Sequence, residues 1–515
     1  MLTRRHAILY GVLILLLGIA LGRLPATLAW LSDESPWVNA VDEARRLIRD
    51  HAVEPIDDQR LSAAAIEGML GALDDHYAEF VPPASRADFE SDLSLQFRGI
   101  GAHVAQLNAA GEPDPTGIIT IVSPIQDSPA LKAGLLPGDQ ILAIDATSTL
   151  GLTLEQAVTH LRGHPGDDVT LTIGRPLISG AGLSPAGNDP AAIERLTIPV
   201  TRAEVITPSV TGLYYEPAPG AWHHLLDSPD DPATAKGAPA YIRINQFTET
   251  TPIEFAAALI AAHISSSDAS STPTPPALIL DLRDNLGGLL DSAVAIADMF
   301  LDRGDIVSTR GRPASRDAST YTAASGRLVP ANLPVIILIN ENSASASEVL
   351  TGALTENHAA RALGVRSFGK GLVQKIEPLA SLPGAMIKLT EQRFYLPGGR
   401  LIQRTPTSTT WGVDPDRALT LDLTDAQLKT LYHARTELEA IRPAPTATNS
   451  NLGLTLRDPA PLATLRTHRF GDPDWITAAT GDAQLAAALR AVRDPGYTIP
   501  RPVPAEISPA RKATP

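Results

Sequence analysis

Two short segments of the chain carry the residue types for acyl transfer by a serine and a lysine. Residues 343–348 alternate serine with alanine and end in a glutamate, and residues 368–374 place Lys370 between two glycines. A buried lysine can lose its proton near neutral pH, and the neutral amine can then accept the proton of a serine hydroxyl as that hydroxyl attacks a carbonyl. Ser345 is therefore the candidate nucleophile and Lys370 the candidate base. Gln374, on the same face of an extended segment, could orient the amine.

Hydrophobic spacing predicts the elements that must position these residues. Residues 333–340 form an apolar run bounded by turn formers, which predicts a buried strand of a parallel sheet. Residues 345–356 follow with apolar positions at helical spacing, so Ser345 is expected at a strand-to-helix corner. The N–H groups at the start of that helix, that of Ala346 among them, could hold an oxyanion. Residues 361–365 predict the next parallel strand.

Each segment also has an interpretation that needs no acyl transfer. Ser345 and Glu348 have the spacing of a capping box, which most helices use only to satisfy backbone donors. Residues 364–371 come close to a phosphate-binding loop, which would suggest a nucleotide hydrolase. Gly371 stands where that loop needs a hydroxyl for magnesium, so the motif supplies no magnesium ligand. The nucleotide interpretation is the weaker one.

The two segments together resemble those of carboxyl-terminal processing proteases, the tail-specific serine endopeptidases of peptidase family S41 with an embedded PDZ domain. Residue by residue, the resemblance implies that Ser345 is the nucleophile, Lys370 the general base and Gln374 the partner that orients the base. It also implies an α/β fold, with a parallel-sheet βαβ protease core similar to ClpP and crotonase, an inserted PDZ domain, and helical N-terminal and C-terminal extensions.

A third segment, residues 277–288, resembles the strand and glycine pair that this family uses beside its oxyanion hole. Its apolar residues predict a buried strand, and its glycines allow close approach of the backbone to a ligand. A tight turn without a ligand is the alternative. The resemblance implies that Gly287 and Gly288 join Ala346 in the oxyanion hole. Leu286 stands where the family often has proline.

Residues 123–144 resemble the core of bacterial PDZ domains, with Ser-Pro-Ala followed by Ala-Gly and Gly-Asp. Ahead of them, Gly99, Ile100, Gly101 and Ala102 resemble the loop that binds a terminal carboxylate. Exposed N–H groups can hold such a carboxylate, and an adjoining strand edge can add an extended peptide. Arg162 matches an arginine that couples tail binding to activation in some relatives, although a solvated arginine is an equal alternative.

The N-terminus predicts export. Residues 1–6 are basic, residues 7–21 are apolar, and Leu28-Ala29 suits signal cleavage, so residues 1–29 are expected to be a signal peptide or an uncleaved anchor that directs the chain to a bacterial periplasm. The absence of cysteine excludes disulfides and a thiolate nucleophile. No His-Glu-x-x-His and no Gly-x-Ser-x-Gly motif occurs, so we expect no metal, no cofactor and no serine–histidine hydrolase site.

The 515 residues and 44% hydrophobic composition favour several domains, and the net charge of -15 argues against nucleic acid as a partner. The predicted partition is a helical region at 36–94, a PDZ domain at 95–205, the protease core at 206–420 and a helical, proline-rich extension at 421–515. The expected partners are proteins presented by their C-terminal tails. An inactive PDZ scaffold or holdase is the rival hypothesis. An adaptor protein, a homo-oligomer and membrane association through the N-terminal segment stay open.

Overall fold

The computed structural model describes residues 36–108, 113–176, 193–217, 219–228, 237–264, 274–312, 318–442, 465 and 468–499. The chain divides into two compact units. The first comprises Met1–Arg86 and Lys375–Thr390, and the second comprises Ala87–Gln374 and Glu391–Pro515. Within the described ranges, no helix combines the length and the apolar character that crossing a membrane requires. The predicted signal segment at 1–29 lies outside the described residues.

The helices alternate with strands along most of the chain. The described α-helices are Pro36–His51 (α1), Asp58–Gly71 (α2), Arg86–Ser94 (α3), Pro129–Lys132 (α4), Leu154–Leu161 (α5), Thr251–Ala261 (α6), Leu290–Asp298 (α7), Ala346–Glu356 (α8), Asp425–Leu438 (α9), Pro473–Thr480 (α10) and Ala483–Arg493 (α11). Short 3-10 helices occur at Pro83–Ser85 and Arg417–Leu419.

The strands belong to several separate sheets. They are Glu79–Val81 (β1), Gln96–Gly99 (β2), Ala102–Leu107 (β3), Ile118–Pro124 (β4), Gln140–Ile144 (β5), Thr147–Ser148 (β6), Asp168–Pro176 (β7), Ile193–Thr201 (β8), Ala203–Ile206 (β9), Val210–Thr211 (β10), Tyr214–Glu216 (β11), Ala221–His223 (β12), Ala240–Ile244 (β13), Leu278–Asp281 (β14), Asp305–Arg310 (β15), Ala318–Thr322 (β16), Val335–Ile339 (β17), Arg361–Gly364 (β18), Leu372–Pro378 (β19) and Met386–Tyr395 (β20).

The first unit contains the predicted N-terminal helices. No residue of α1 or α2 is buried. The guanidinium of Arg45, on α1, binds Asp42 of the same helix at 2.8 Å and joins α1 to α2 by binding Asp58 at 2.5 Å. Strand β1 pairs antiparallel with the first residues of β20. Helices α1, α2 and α3 lie within the helical region predicted at 36–94.

The PDZ part of the second unit is an antiparallel sheet with the order β3-β4-β5-β7-β8, and β6 pairs with β5. Alternating apolar side chains of β4, β5 and β7 form a buried cluster with α4 and α5. The guanidinium of Arg175 binds the buried carboxylate of Asp139 at 2.7 Å, which compensates the charge of that carboxylate. Helix α5 begins with a complete capping box between Thr153 and Gln156.

The predicted protease core, in the second unit, is built on a sheet with the order β10-β13-β14-β17-β18. The last four strands are parallel, and every residue of β17 is buried. Helices α6, α7 and α8 pack on one face, while α10 and α11 pack on the other. Burial on both faces explains why β14 and β17 are continuous apolar runs in the sequence.

The predicted α/β fold with a PDZ domain is confirmed, with two corrections. Among the described strands, parallel ladders join only β13, β14, β17 and β18, and the other described ladders are antiparallel. Within the extension at 421–515, predicted to be helical and proline-rich, helix α10 was not among the expected elements. The specific likeness to ClpP and crotonase stays a prediction.

Candidate active site

The candidate nucleophile lies at the corner between β17 and α8. Ser345 has φ 56° and ψ −114°, a conformation that costs a non-glycine residue about 1–3 kcal/mol. The preceding residues are fixed to the neighbouring loop, since the Ser343 hydroxyl donates to the Leu282 carbonyl at 2.8 Å and the Ala344 N–H donates to the Asn285 carbonyl at 3.0 Å. The strain at Ser345 is therefore maintained by bonds on the N-terminal side of the corner.

The last residue of β14 and the loop that follows it, residues 281–288, lie directly against this corner. We call them the oxyanion loop, after the oxyanion hole that the sequence predicts here. Gly287 has φ 106°, and a Cβ on it would lie 2.8 Å from the Cβ of Ser345 and 3.1 Å from the N of Ala346. Only a glycine lets the two backbones approach so closely. The close backbone approach that the glycine pair predicts therefore occurs beside the candidate nucleophile.

The hydrogen bonds of the loop distinguish the three predicted oxyanion donors. The Gly287 N–H already donates to the Asn285 side chain at 2.8 Å. The N–H groups of Gly288 and Ala346 donate to no residue that the structure describes, and both are candidate donors. Asn285, which the sequence argument did not single out, also accepts from the Ser347 hydroxyl at 2.9 Å.

The candidate base follows β18 on a segment that glycines allow to pass close to its neighbours. The Lys370 ammonium donates to the Gln374 side-chain oxygen at 3.1 Å, the contact that the predicted orienting role requires. A Cβ on Gly369 would lie 2.7 Å from Trp411, and a Cβ on Gly371 would lie 2.8 Å from the Gln403 N. The two glycines therefore have a packing explanation of their own.

Glu348 connects the two halves of the site. Its fully buried carboxylate accepts four hydrogen bonds: from the Ser345 N–H at 2.8 Å, the Ser367 hydroxyl at 2.6 Å, the Gly369 N–H at 2.7 Å and the Lys370 N–H at 2.8 Å. The N–H groups of Ser345 and Lys370 bind the same oxygen, Oε2. The sequence pattern suggested a helix cap, and the structure adds three donors from the lysine segment.

The same bonds bear on two other sequence interpretations. Burial raises the pKa of Glu348, and its four hydrogen bonds, which favour the carboxylate, offset part of that rise. Because the N–H groups of Gly369 and Lys370 bind this carboxylate, and that of Gly371 binds Gln403, they are not free to hold a phosphate. The nucleotide-hydrolase interpretation therefore loses its structural basis.

The predicted tail-binding residues lie at the open edge of the PDZ sheet. Strand β3 is an edge strand, and the N–H group of Gly101 just before it donates to no residue that the structure describes. Gly101 has φ 74°, and a Cβ on it would lie 2.5 Å from Ser128. Ala102 begins β3, which leaves an edge available for an added peptide strand.

Arg162, at the end of α5, lies beside this loop. Its backbone forms an isolated bridge with Gly99, and its exposed guanidinium binds Asp88 of α3 at 2.8 Å. A screened pair of this kind contributes little to stability. The coupling role that the resemblance implies for Arg162 stays a prediction. Among the described residues, no group of three or more acidic or histidine side chains is arranged to hold a metal ion.

Comparison with known proteins agrees with this architecture. Residues 239–419 match the model of peptidase family S41, and residues 120–175 match a PDZ-domain model. A carboxy-terminal-processing protease from Bartonella bacilliformis is 36% identical over 371 residues, which cover 72% of this chain and 72% of that protein. The chain belongs to peptidase family S41.

Two further S41-type proteins show the range of the similarity. A CtpA-like serine protease from Staphylococcus epidermidis is 34% identical over 344 residues, which cover 67% of this chain and 58% of that protein. A solved photosystem II D1 C-terminal processing protease is 26% identical with a TM-score of 0.39, and the match covers 74% of this chain and 92% of that one. This S41 member is a serine-type peptidase of the carboxy-terminal-processing class.

Close approach at Gly287 can be tested in this S41 peptidase by a Gly287→Ala variant. The added methyl group would meet the Ser345 Cβ at 2.8 Å, so we expect peptidase activity to fall about 100-fold. Gly326→Ala is the matched control, because Gly326 has φ 116° with nothing within 4 Å of an added Cβ. Steady-state kinetics and thermal unfolding are measured for both variants. Equal kcat in the two variants would show that the loop does not approach the serine.

Glu348 can be tested by a Glu348→Gln variant. An amide NH2 in place of Oε2 would face two N–H donors, so we expect the serine corner and the lysine segment to separate and kcat to fall about 100-fold. Glu437→Gln, at a half-buried ion pair with Arg442, is the control and should keep wild-type activity. A Glu348→Gln enzyme with wild-type kcat would mean that the shared carboxylate does not position the site.

Proposed function

We propose that this S41 peptidase is an exported endopeptidase that captures protein C-termini with its PDZ domain and cleaves by a Ser345–Lys370 dyad. The observation that carries the proposal is the shared Oε2 of Glu348, which holds the backbone of the candidate nucleophile and of the candidate base at 2.8 Å each. The Lys370 contact with Gln374 supplies the orienting partner. The name of the Bartonella relative, a carboxy-terminal-processing protease, supports the same substrate class.

The reaction begins with proton transfer from the Ser345 hydroxyl to the neutral Lys370 amine. The serine oxygen bonds to the substrate carbonyl carbon, and the carbonyl oxygen becomes an oxyanion facing the N–H groups of Gly288 and Ala346. The C–N bond then breaks, and Lys370 returns its proton to the leaving amine. A water molecule gives a proton to Lys370 as its oxygen bonds to the acyl carbon. The ester C–O bond then breaks, and Lys370 returns that proton to the Ser345 oxygen, which releases the new carboxyl terminus and restores the neutral amine.

Substrate capture is assigned to the open edge of β3. A tail carboxylate would accept from the N–H group of Gly101, while the tail backbone pairs with β3. Export to a periplasm is proposed from the basic and apolar residues at 1–21. A core similar to ClpP and crotonase would place the scissile bond at the carboxyl ends of the parallel strands.

The dyad is tested with an unfolded protein substrate and three proteins: wild type, Ser345→Ala and Lys370→Arg. We expect both variants to lose at least about 1000-fold in kcat, because neither retains a nucleophile with a base that can accept its proton. Lys429→Arg, at an exposed helical position, is the matched control and should remain active. Equal cleavage by the wild type and Ser345→Ala would overturn the dyad, and an inactive wild type would favour the scaffold hypothesis.

Tail recognition is tested with a substrate peptide whose terminal carboxylate is either free or amidated. Charge-assisted hydrogen bonds contribute about 1.5–3 kcal/mol each, so we expect amidation to raise KM at least about tenfold while kcat stays unchanged. Binding of both peptides to the Ser345→Ala protein, measured by fluorescence anisotropy, separates capture from cleavage. Equal affinity for the two peptides would contradict recognition of the carboxylate.

A further inference from the structure

The residues after the family-matched region reach the oxyanion loop. We call residues 468–499, which contain α10 and α11, the C-terminal segment. Asp482 lies between the two helices, and its carboxylate binds the Arg283 guanidinium through both oxygens, each at 2.8 Å. The family model ends at residue 419, so this contact lies outside the matched sequence. The oxyanion loop is therefore completed by a part of the chain to which the sequence assigned no chemistry.

Arg283 is almost completely buried, and its charge is compensated from two sides. The guanidinium binds Asp281 at 2.6 Å within the loop, as well as Asp482, and it also donates to the Gln484 side chain at 3.1 Å. The side chains of Asp281, Arg283 and Asp482 are 0%, 2% and 4% exposed. A buried bidentate pair fixes direction as well as distance. Removing one partner of such a pair leaves a charge without compensation.

A second part of the extension contacts the same loop. The Arg435 guanidinium, from α9, binds Asp281 at 3.0 Å and Asp284 at 3.3 Å. Burial opposes the charge of Asp281, but Arg283 and Arg435 outweigh it and hold its pKa below the usual range. Asp284 in turn accepts from the side chains of Asn340 and Asn342, at the turn before the serine corner. The extension thus bonds to the first half of the oxyanion loop at several points.

Arg283 is only two residues from Asn285, which contacts the reacting corner. The Asn285 carbonyl accepts from the Ala344 N–H and the Ser347 hydroxyl, on either side of Ser345. The Asn285 side chain accepts from the Gly287 N–H and donates to the Ile244 carbonyl at 2.8 Å. A displacement of Arg283 would therefore be transmitted to the glycines beside the nucleophile.

The C-terminal segment has its own packing and does not depend on Asp482 to stay bound. Helix α11 buries most of one face against the central sheet, and Phe470 stacks on Tyr214 at 5.9 Å between ring centroids. The Gly471 N–H donates to the Asp227 carbonyl at 2.9 Å. Loss of the Asp482 charge should therefore perturb the ion pair without releasing the segment.

We propose that Asp482 is a positioning residue of the peptidase, which holds the oxyanion loop through Arg283 in the arrangement that Ser345 needs. The C-terminal segment is thereby part of the catalytic unit. The proposal rests on the proposed Ser345–Lys370 function. We therefore expect loss of the Asp482 charge to impair the chemical step. Tail capture by the PDZ domain should stay unchanged, because Asp482 lies between helices that pack on the sheet of β13, β14, β17 and β18, and not at the β3 edge.

The test is an Asp482→Asn variant of the full chain, assayed on the tail peptide. Asparagine can replace the Asp482 side chain as the cap of α11, where its oxygen accepts from the Leu485 N–H, so the substitution removes mainly the charge. We expect kcat to fall at least about tenfold, with KM and anisotropy-measured peptide affinity within about twofold of wild type. Asp474→Asn, at an exposed pair with Arg490 in the same segment, is the control and should match wild type.

The outcomes separate this proposal from the proposed function. Wild-type kcat in a folded Asp482→Asn enzyme would overturn the positioning role, and so would a parallel loss of kcat and peptide affinity. An inactive wild type would instead overturn the function itself. If circular dichroism shows that Asp482→Asn does not fold, Gln484→Met decides, since it removes one hydrogen bond to the Arg283 guanidinium together with the bond that Gln484 donates to the Leu421 carbonyl. A lowered kcat with unchanged KM supports the proposal, and wild-type kcat refutes it.

Discussion

The candidate site depends on a single buried carboxylate. Glu348 is completely inaccessible, and a carboxylate in such a place is tolerated only when donors replace its water. Two of its four donors are the backbone N–H groups of Ser345 and Lys370, which meet at one oxygen. The candidate nucleophile and the candidate base are thus held by the same atom, although they come from different segments. Any motion that separates them must first leave a buried charge without its partners.

The parallel sheet explains why these segments meet at all. The oxyanion loop follows β14, the Ser345 corner follows β17, and the Lys370 segment follows β18. These three strands are neighbours with the same direction, so their carboxyl ends open onto one edge. The loops then bond to each other: Asn285 to the serine corner, and the Ser343 carbonyl to the Phe368 N–H at 3.0 Å. The sheet brings the residues together, and these bonds set their orientation.

Local patterns in the sequence predicted the elements well, because local spacing determines them. The strand expected at 333–340 and the helix expected from Ser345 occur as β17 and α8, since apolar periodicity depends only on neighbouring residues. The role of Glu348 could not be predicted in the same way. A capping box accounts for one bond, while the other three donors arrive from 367–370 through the tertiary fold. Helix α10 was missed even though its signals are present: Asp472 before Pro473, and Gly481 at its end.

The contact with the C-terminal segment has no local signal, because Arg283 and Asp482 are separated by 199 residues. The need to pair buried charges nevertheless constrains the Arg283–Asp482 contact. Asp281 and Asp482 face Arg283 and Arg435, and the extension supplies one residue of each sign to this contact. Losing the Asp482 charge leaves the Arg283 guanidinium with one carboxylate fewer in a site with almost no access to water. The loss of one side-chain charge in this cluster should therefore displace Arg283, and with it the oxyanion loop beside the candidate nucleophile.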